Sequence, residues 1–233
     1  MLCLAFALLA PAQTSTIPVV NPIATYTNVN GEAIEDPANA QDAPLNGHFE
    51  ANPSDVGDYT ARYEWKIWRD DEPTNILVHR FEEVLDYTFT STGSYHIQLL
   101  ATFVLDNDTI TYPDETGAPE PFAISIKESK LEFPNAFSPN GDGYNDVLRA
   151  KSGYQSIIEF EAAVFNRGGR KLFSWNSPEQ GWDGTVGGKT VHDGVYFLVV
   201  NAKGADGYKY KIRKTISVLT GYDNEREGTT ENE

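Results

Sequence analysis

The segment Asn140-Gly141-Asp142-Gly143-Tyr144-Asn145-Asp146 presents oxygen atoms at alternate positions. Asn140, Asp142 and Asp146 supply side-chain oxygens, and the Tyr144 carbonyl lies between them. Two chemistries use this spacing. Calcium takes about six to eight oxygens in flexible geometry, and a two-residue step wraps a loop around the ion. A hydrogen-bonded turn uses the same residues, with Asn and Asp side chains accepting from their own backbone and glycines supplying φ > 0. An EF-hand is excluded, because Lys151 stands where its bidentate Glu belongs. Calcium and the turn both stay open, the turn being the commoner outcome.

Other reactive groups are scattered. The four histidines, at 48, 79, 96 and 192, fall on different segments without metal-type spacing, so each reads as a strand-face or loop residue. Neither G-x-S-x-G, H-E-x-x-H nor a phosphate-cradling glycine loop occurs. A glycosidase needs two carboxylates facing each other across a cleft, whereas Asp70-Asp71 and Glu82-Glu83 are neighbours of the kind that solvated turns carry. No catalytic residue is assigned. Two tryptophans are the better candidates for binding. Trp68 alternates away from Tyr63, Trp65 and Ile67, and Trp175 sits in the polar stretch Ser174 to Ser177. Either offers a ring on which a sugar or partner surface stacks; the plainer reading folds Trp175 over a sheet edge. Asp108-Thr109-Ile110 has the form of a short O-glycosylation site.

The elements that must position these groups are strands. Tyr95, Ile97, Leu99, Ala101 and Phe103 alternate with polar residues, as do Tyr63, Trp65 and Ile67. In the second half Ile158, Phe160, Ala162 and Val164 alternate with Glu159 and Glu161, and Tyr208, Tyr210 and Ile212 with Lys209, Lys211 and Arg213. Turn residues recur between them, and the one short helical stretch is Phe81 to Leu85. The expected fold is all-β, two consecutive antiparallel sandwiches.

Composition narrows the function. Across 233 residues, 18 basic side chains face 34 acidic ones, a formal charge of −16. That field repels phosphate backbones, so no nucleic-acid partner is expected. The run Leu2 to Leu9 followed by Ala10-Pro11-Ala12 has the form of an export signal, although no Lys or Arg precedes it. The longest apolar stretch, Leu2 to Pro11, is half of what a bilayer span requires. Cys3 is the only cysteine, so a processed chain holds together by core burial or a bound ion. The expected organisation is a signal peptide (1–12), a mature N-terminal segment (13–17), a first sandwich (18–127), a charged linker (128–130), a second sandwich (131–220) and an acidic tail (221–233) that composition leaves disordered.

The first block resembles a PKD-type immunoglobulin-like module. The residues that carry the likeness are Ala43-Pro44-Leu45, Tyr63-Glu64-Trp65 and the stretch Asp86 to Tyr95. Lys66-Ile67-Trp68-Arg69 replaces the family's acidic-glycine turn. The second block resembles the gliding motility-associated C-terminal domain, the type B sorting domain of type IX secretion cargo in Bacteroidetes. Its signature is Pro134, Asn135, Ala136, Phe137, Ser138, Pro139, Asn140, Gly141, Asp142, Gly143, Tyr144, Asn145 and Asp146. The turn 166–170, then Trp182-Asp183-Gly184, then Asp193, Gly194, Val195, Tyr196 and Phe197 follow in order. The resemblance implies a sandwich of seven or eight strands that carries a passenger across the outer membrane. It implies as partners the outer-membrane translocon and an accompanying β-barrel, with recognition at the C-terminal end, where this chain continues into its acidic segment. The expected protein is a non-enzymatic, exported cell-envelope protein at the cell surface or secreted, with a surface adhesin or glycan-binding module as the alternative.

Overall fold

Period-two alternation needs a partner strand on each side and a second layer on its apolar face. The computed structural model, which describes residues 17–114, 117 and 120–221, supplies both. The expected signal peptide (1–12) and all of the acidic tail beyond Gly221 lie outside the described residues. No helix occurs among the described residues, and Phe81 to Leu85 leads into a strand.

The first block holds β1 (Val19–Val20), β2 (Ile23–Thr27), β3 (Leu45–Glu50), β4 (Pro53–Ser54) and β5 (Thr60–Arg69). Then come β6 (Glu72–Arg80), β7 (Val84–Phe89), β8 (Gly93–Leu105), β9 (Asp108–Tyr112) and β10 (Phe122–Ile126). One sheet has the order β2-β3-β7; the other runs β10-β8-β5-β6, with β9 also on β8. This is an immunoglobulin-like sandwich. Its long strands β5 and β8 pair antiparallel along their length, bringing Trp65 opposite Leu99 and Ile67 opposite Ile97. Trp65, Ile67, Ile97, Phe49 and Phe89 are completely buried, so the alternating residues of the sequence are the ones that fill the space between sheets.

The second block holds β11 (Ala136–Phe137), β12 (Leu148–Arg149), β13 (Ile157–Phe165), β14 (Lys171–Trp175) and β15 (Gly181–Trp182). It ends with β16 (Thr185–Val186), β17 (Lys189–Thr190), β18 (Gly194–Gly204) and β19 (Lys209–Val218). A five-stranded sheet, β11-β19-β18-β13-β14, carries the core. The facing layer is made of the short pairs β12–β15 and β16–β17 with Leu131 and Phe133. Ala162 and Val164 of β13 point inward as expected. Ile158 does not belong to the same core: a register shift between Ile157 and Glu159 puts Ile157 there and leaves Ile158 packed against the first sandwich. Tyr208 is 62% exposed, because it lies before β19 begins, and Ile216 and Val218 fill the core instead.

The stretch 128–130 is tied down. The Lys130 and Gln155 backbones exchange hydrogen bonds, and Ser129 Oγ donates to Asp206 at 2.8 Å and meets the Tyr210 hydroxyl at 2.9 Å. A Cβ on Gly204 would overlap the Ser129 side chain. The two sandwiches also share a joint. Ala205, at the β18–β19 turn, is buried in the first core and donates its N–H to the Ser156 carbonyl at 2.9 Å. The Ala205 carbonyl accepts from Thr92, and the buried Ser156 Oγ accepts from the Ala43 N–H.

Candidate sorting site

The signature residues 134–146 begin as a strand beside the last one. β11 runs parallel to β19, with Ala136 opposite Ser217 and Phe137 opposite Val218. Ser217 N–H donates to the Asn135 carbonyl and Leu219 N–H to that of Phe137. From this strand Phe137 reaches inward to the Trp182 ring, 5.5 Å between centroids, and Trp182 meets Tyr196 at 5.6 Å. Trp182 is fully buried, and its indole N–H donates to the Thr185 carbonyl at 2.9 Å. Asp183 shapes that turn by accepting from the Thr185 N–H and hydroxyl. Gly184 is required twice over: its φ is +77°, and a Cβ there would come within 2.8 Å of Pro139. Three segments far apart in sequence thus close on one aromatic stack.

The same end of the sheet is pinned from the other side. Asp193 accepts from the Thr220 N–H at 2.8 Å and the Thr220 hydroxyl at 2.6 Å, which holds its carboxyl below the usual carboxylate range. Tyr196 donates its hydroxyl proton to the His192 carbonyl. Gly194 opens β18, while Phe197 faces outward and is 41% exposed. Ser138 is buried, its N–H bonded to the Asn145 carbonyl, and Pro134, Asn135, Pro139 and Asn140 stay at least partly exposed around it.

The Asn140–Asp146 loop is a closed hydrogen-bond network. Asp146 accepts from the N–H groups of Gly141 at 2.7 Å, Gly143 at 2.8 Å and Asn140 at 3.1 Å, and these bonds lower its pKa. Asp142 accepts from the Tyr144 N–H and the Asn140 side-chain amide, and Asn140 Oδ1 accepts from the Asp142 N–H. Gly141 and Gly143 have φ of +80° and +88°, and Asn145 has +51°. Donors converge on the Asp146 carboxylate, so the loop interior presents N–H hydrogens where a cation needs free oxygens. These bonds are those of the hydrogen-bonded turn. Full-length protein is therefore expected to melt identically in calcium and in EDTA. Asp146→Asn should lower the melting temperature by a few degrees at neutral pH. Because the folded pKa lies below the unfolded one, the stabilisation is present above the unfolded carboxylate pKa and fades as pH falls through the folded value. A calcium-dependent rise in melting temperature would overturn this account.

The binding candidates part company. Trp68 is half-buried on the outer face of β5, stacked on His96 at 5.5 Å with an interplanar angle of 20°. Trp175 is buried among Phe133, Phe160 and Phe173, so its ring is part of the core and offers no face to a ligand. Burial followed from the pairing of Trp175 with Ala162, which a polar local sequence hides. His48, His79 and His96 each meet one or two carboxylates on an outer strand face, and no cluster of metal-binding side chains occurs among the described residues. Thr109 of the sequence Asp108-Thr109-Ile110 is exposed on β9.

Residues 131–216 match the family of the CHU_C Type IX secretion signal domain. The match covers most of the second sandwich, and a type IX secretion signal there implies export to the cell surface or release. A search of curated proteins finds no match. Among solved structures, a beta-glucuronidase of Faecalibacterium prausnitzii is similar over 90% of this chain at 12% identity, with a TM-score of 0.24. This chain spans about half of that enzyme, 47% of its length. A likeness that loose says nothing of shared fold or activity.

Proposed function

We propose that the protein is a non-enzymatic cell-envelope cargo in which a PKD-like first sandwich is passenger or spacer. In this reading the second sandwich is engaged by the outer-membrane translocon and an accompanying outer-membrane β-barrel. The observation that carries it is the match over 131–216, whose signature residues gather around the end of the last strand. The absence of an enzymatic role draws support from the acidic pairs. Asp70 is engaged with His96 and Asp71 with Arg69, so both carboxylates already have a neighbouring side chain as partner.

The test is secretion of the full chain, tagged within the first sandwich, from paired strains with and without a working type IX translocon. Tagged protein should reach the cell surface or medium only in the working strain. Equal release from both strains would sink the proposal. A second reading, a glycan-binding or adhesive first sandwich, draws on the Trp68–His96 stack beside Asp70. It requires Trp68→Ala to abolish adhesion while leaving export intact.

A further inference from the structure

The two sandwiches face each other across a cleft of about 420 Å³ whose walls come from both. The first sandwich contributes Asn30, from the turn after β2, and Asp42 and Pro44, just before β3. The second contributes Tyr154, Ile158 and Phe160, before and along β13, with Asn176 and Glu179 after β14. Pro44, Tyr154, Ile158 and Phe160 are half-buried, whereas Asn30, Asp42, Asn176 and Glu179 are exposed, so an apolar floor lies beneath a largely polar rim. The bonds across the cleft are long. Glu179 Oε1 accepts from the Tyr154 hydroxyl at 3.2 Å and from the Asn30 side-chain amide at 3.4 Å. Such bonds prefer about 2.8 and 2.9 Å, respectively. The Asn176 side chain makes no hydrogen bond among the described residues. Charge is close to balanced, because Lys127 meets Asp42 at 3.6 Å and Arg149 lies within electrostatic reach of Tyr154.

We propose that this cleft binds a neutral saccharide of one or two pyranose rings. Its volume falls in the range of about 300 to 1,000 Å³ that ligand sites occupy, and such sites favour the interface between domains. A pyranose has an apolar C–H face and a belt of hydroxyls. The C–H face suits the Tyr154 and Phe160 rings. The hydroxyls suit the rim, because each both donates and accepts. One hydroxyl beside Glu179 donates to its carboxylate and accepts from the Asn30 amide, which replaces the 3.4 Å contact with two bonds of ordinary length. Asn176 offers a further donor and acceptor. Other ligand classes fit less well. No Lys or Arg lines the cleft to meet an anion, and Asp42 already has its cation. An apolar ligand strips water from Asn30, Asn176 and Glu179 without replacing its bonds. The site needs both sandwiches, lies apart from Trp68 on the outer face of β5, and stands independently of how the chain is sorted.

The experiment is titration of the full chain with maltose, cellobiose and N,N′-diacetylchitobiose, followed by magnetic resonance through the side-chain amide signals of Asn30 and Asn176. At least one disaccharide should shift both signals saturably at millimolar concentration. Asn30→Ala and Asn176→Ala, each at an exposed position, should leave the melting temperature of the free protein unchanged. Each should weaken binding of that disaccharide by about five- to tenfold, the size expected for one hydrogen bond. Trp68→Ala should leave binding intact, and glucosamine and glucuronate should bind no more tightly than glucose. No saturable shift with any of the three disaccharides would overturn the proposal. Sensitivity to only one of the two asparagines would give the ligand to a single sandwich and overturn it too. Loss of binding in Trp68→Ala, or a charged sugar that binds more tightly than glucose, would do the same.

Discussion

Trp182→Ala is expected to cost the second sandwich about 3 to 5 kcal/mol, the range for truncating a buried tryptophan. For a domain near 100 residues that lowers the melting temperature by roughly 12 °C or more. The size follows from what the indole touches. It is fully buried, meets both Phe137 and Tyr196, and fills the layer opposite the five-stranded sheet. Its removal also leaves the Thr185 carbonyl without the indole donor. Because Phe137 sits on β11, which braces β19, loosening the stack should free the last strand as well. Calorimetry of the full chain gives the readout, and Phe173→Ala, at a 37%-exposed position on the edge strand, is the control. A melt of Trp182→Ala within a degree or two of the parent would refute the central place given to this stack.

Ala205→Asp should separate the two sandwiches. Ala205 is 6% exposed inside the first core, although it belongs to the turn of the second. A carboxylate forced into that buried position loses its hydration, and an uncompensated buried charge costs about 3 to 5 kcal/mol. The turn escapes by withdrawing, which breaks the bonds that Ala205 makes to Ser156 and Thr92. Each sandwich keeps its own core, so strand content by circular dichroism should persist. Calorimetry should change from one cooperative transition to two. Ala205→Gly, which keeps the backbone bonds and adds no charge, should behave like the parent. A single transition at the parental temperature in Ala205→Asp would mean that the joint couples nothing.

Local alternation determined a good part of this protein. Tyr95 to Phe103 and Tyr63 to Ile67 face where their period of two places them, because adjacent side chains of a strand must point to opposite sides. The signature 134–146 was equally legible, since its Asn, Asp and Gly positions serve a turn that closes within seven residues. Within that loop three N–H groups are aimed at one carboxylate, the arrangement of the hydrogen-bonded turn. What local pattern left undecided depends on partners distant in sequence. The phase of β13 changes at Ile157 because its pairing with β18 slips, and that slip hands Ile158 to the other sandwich. The polar neighbours of Trp175 leave open whether its ring faces a ligand or folds over a sheet edge, and pairing with Ala162 on the edge strand turns it into the core. The Ala205 joint and the Asp193–Thr220 clasp join residues 113 and 27 positions apart, respectively. Alternation tells a strand which face is apolar, but only the register of its neighbours decides which core that face enters.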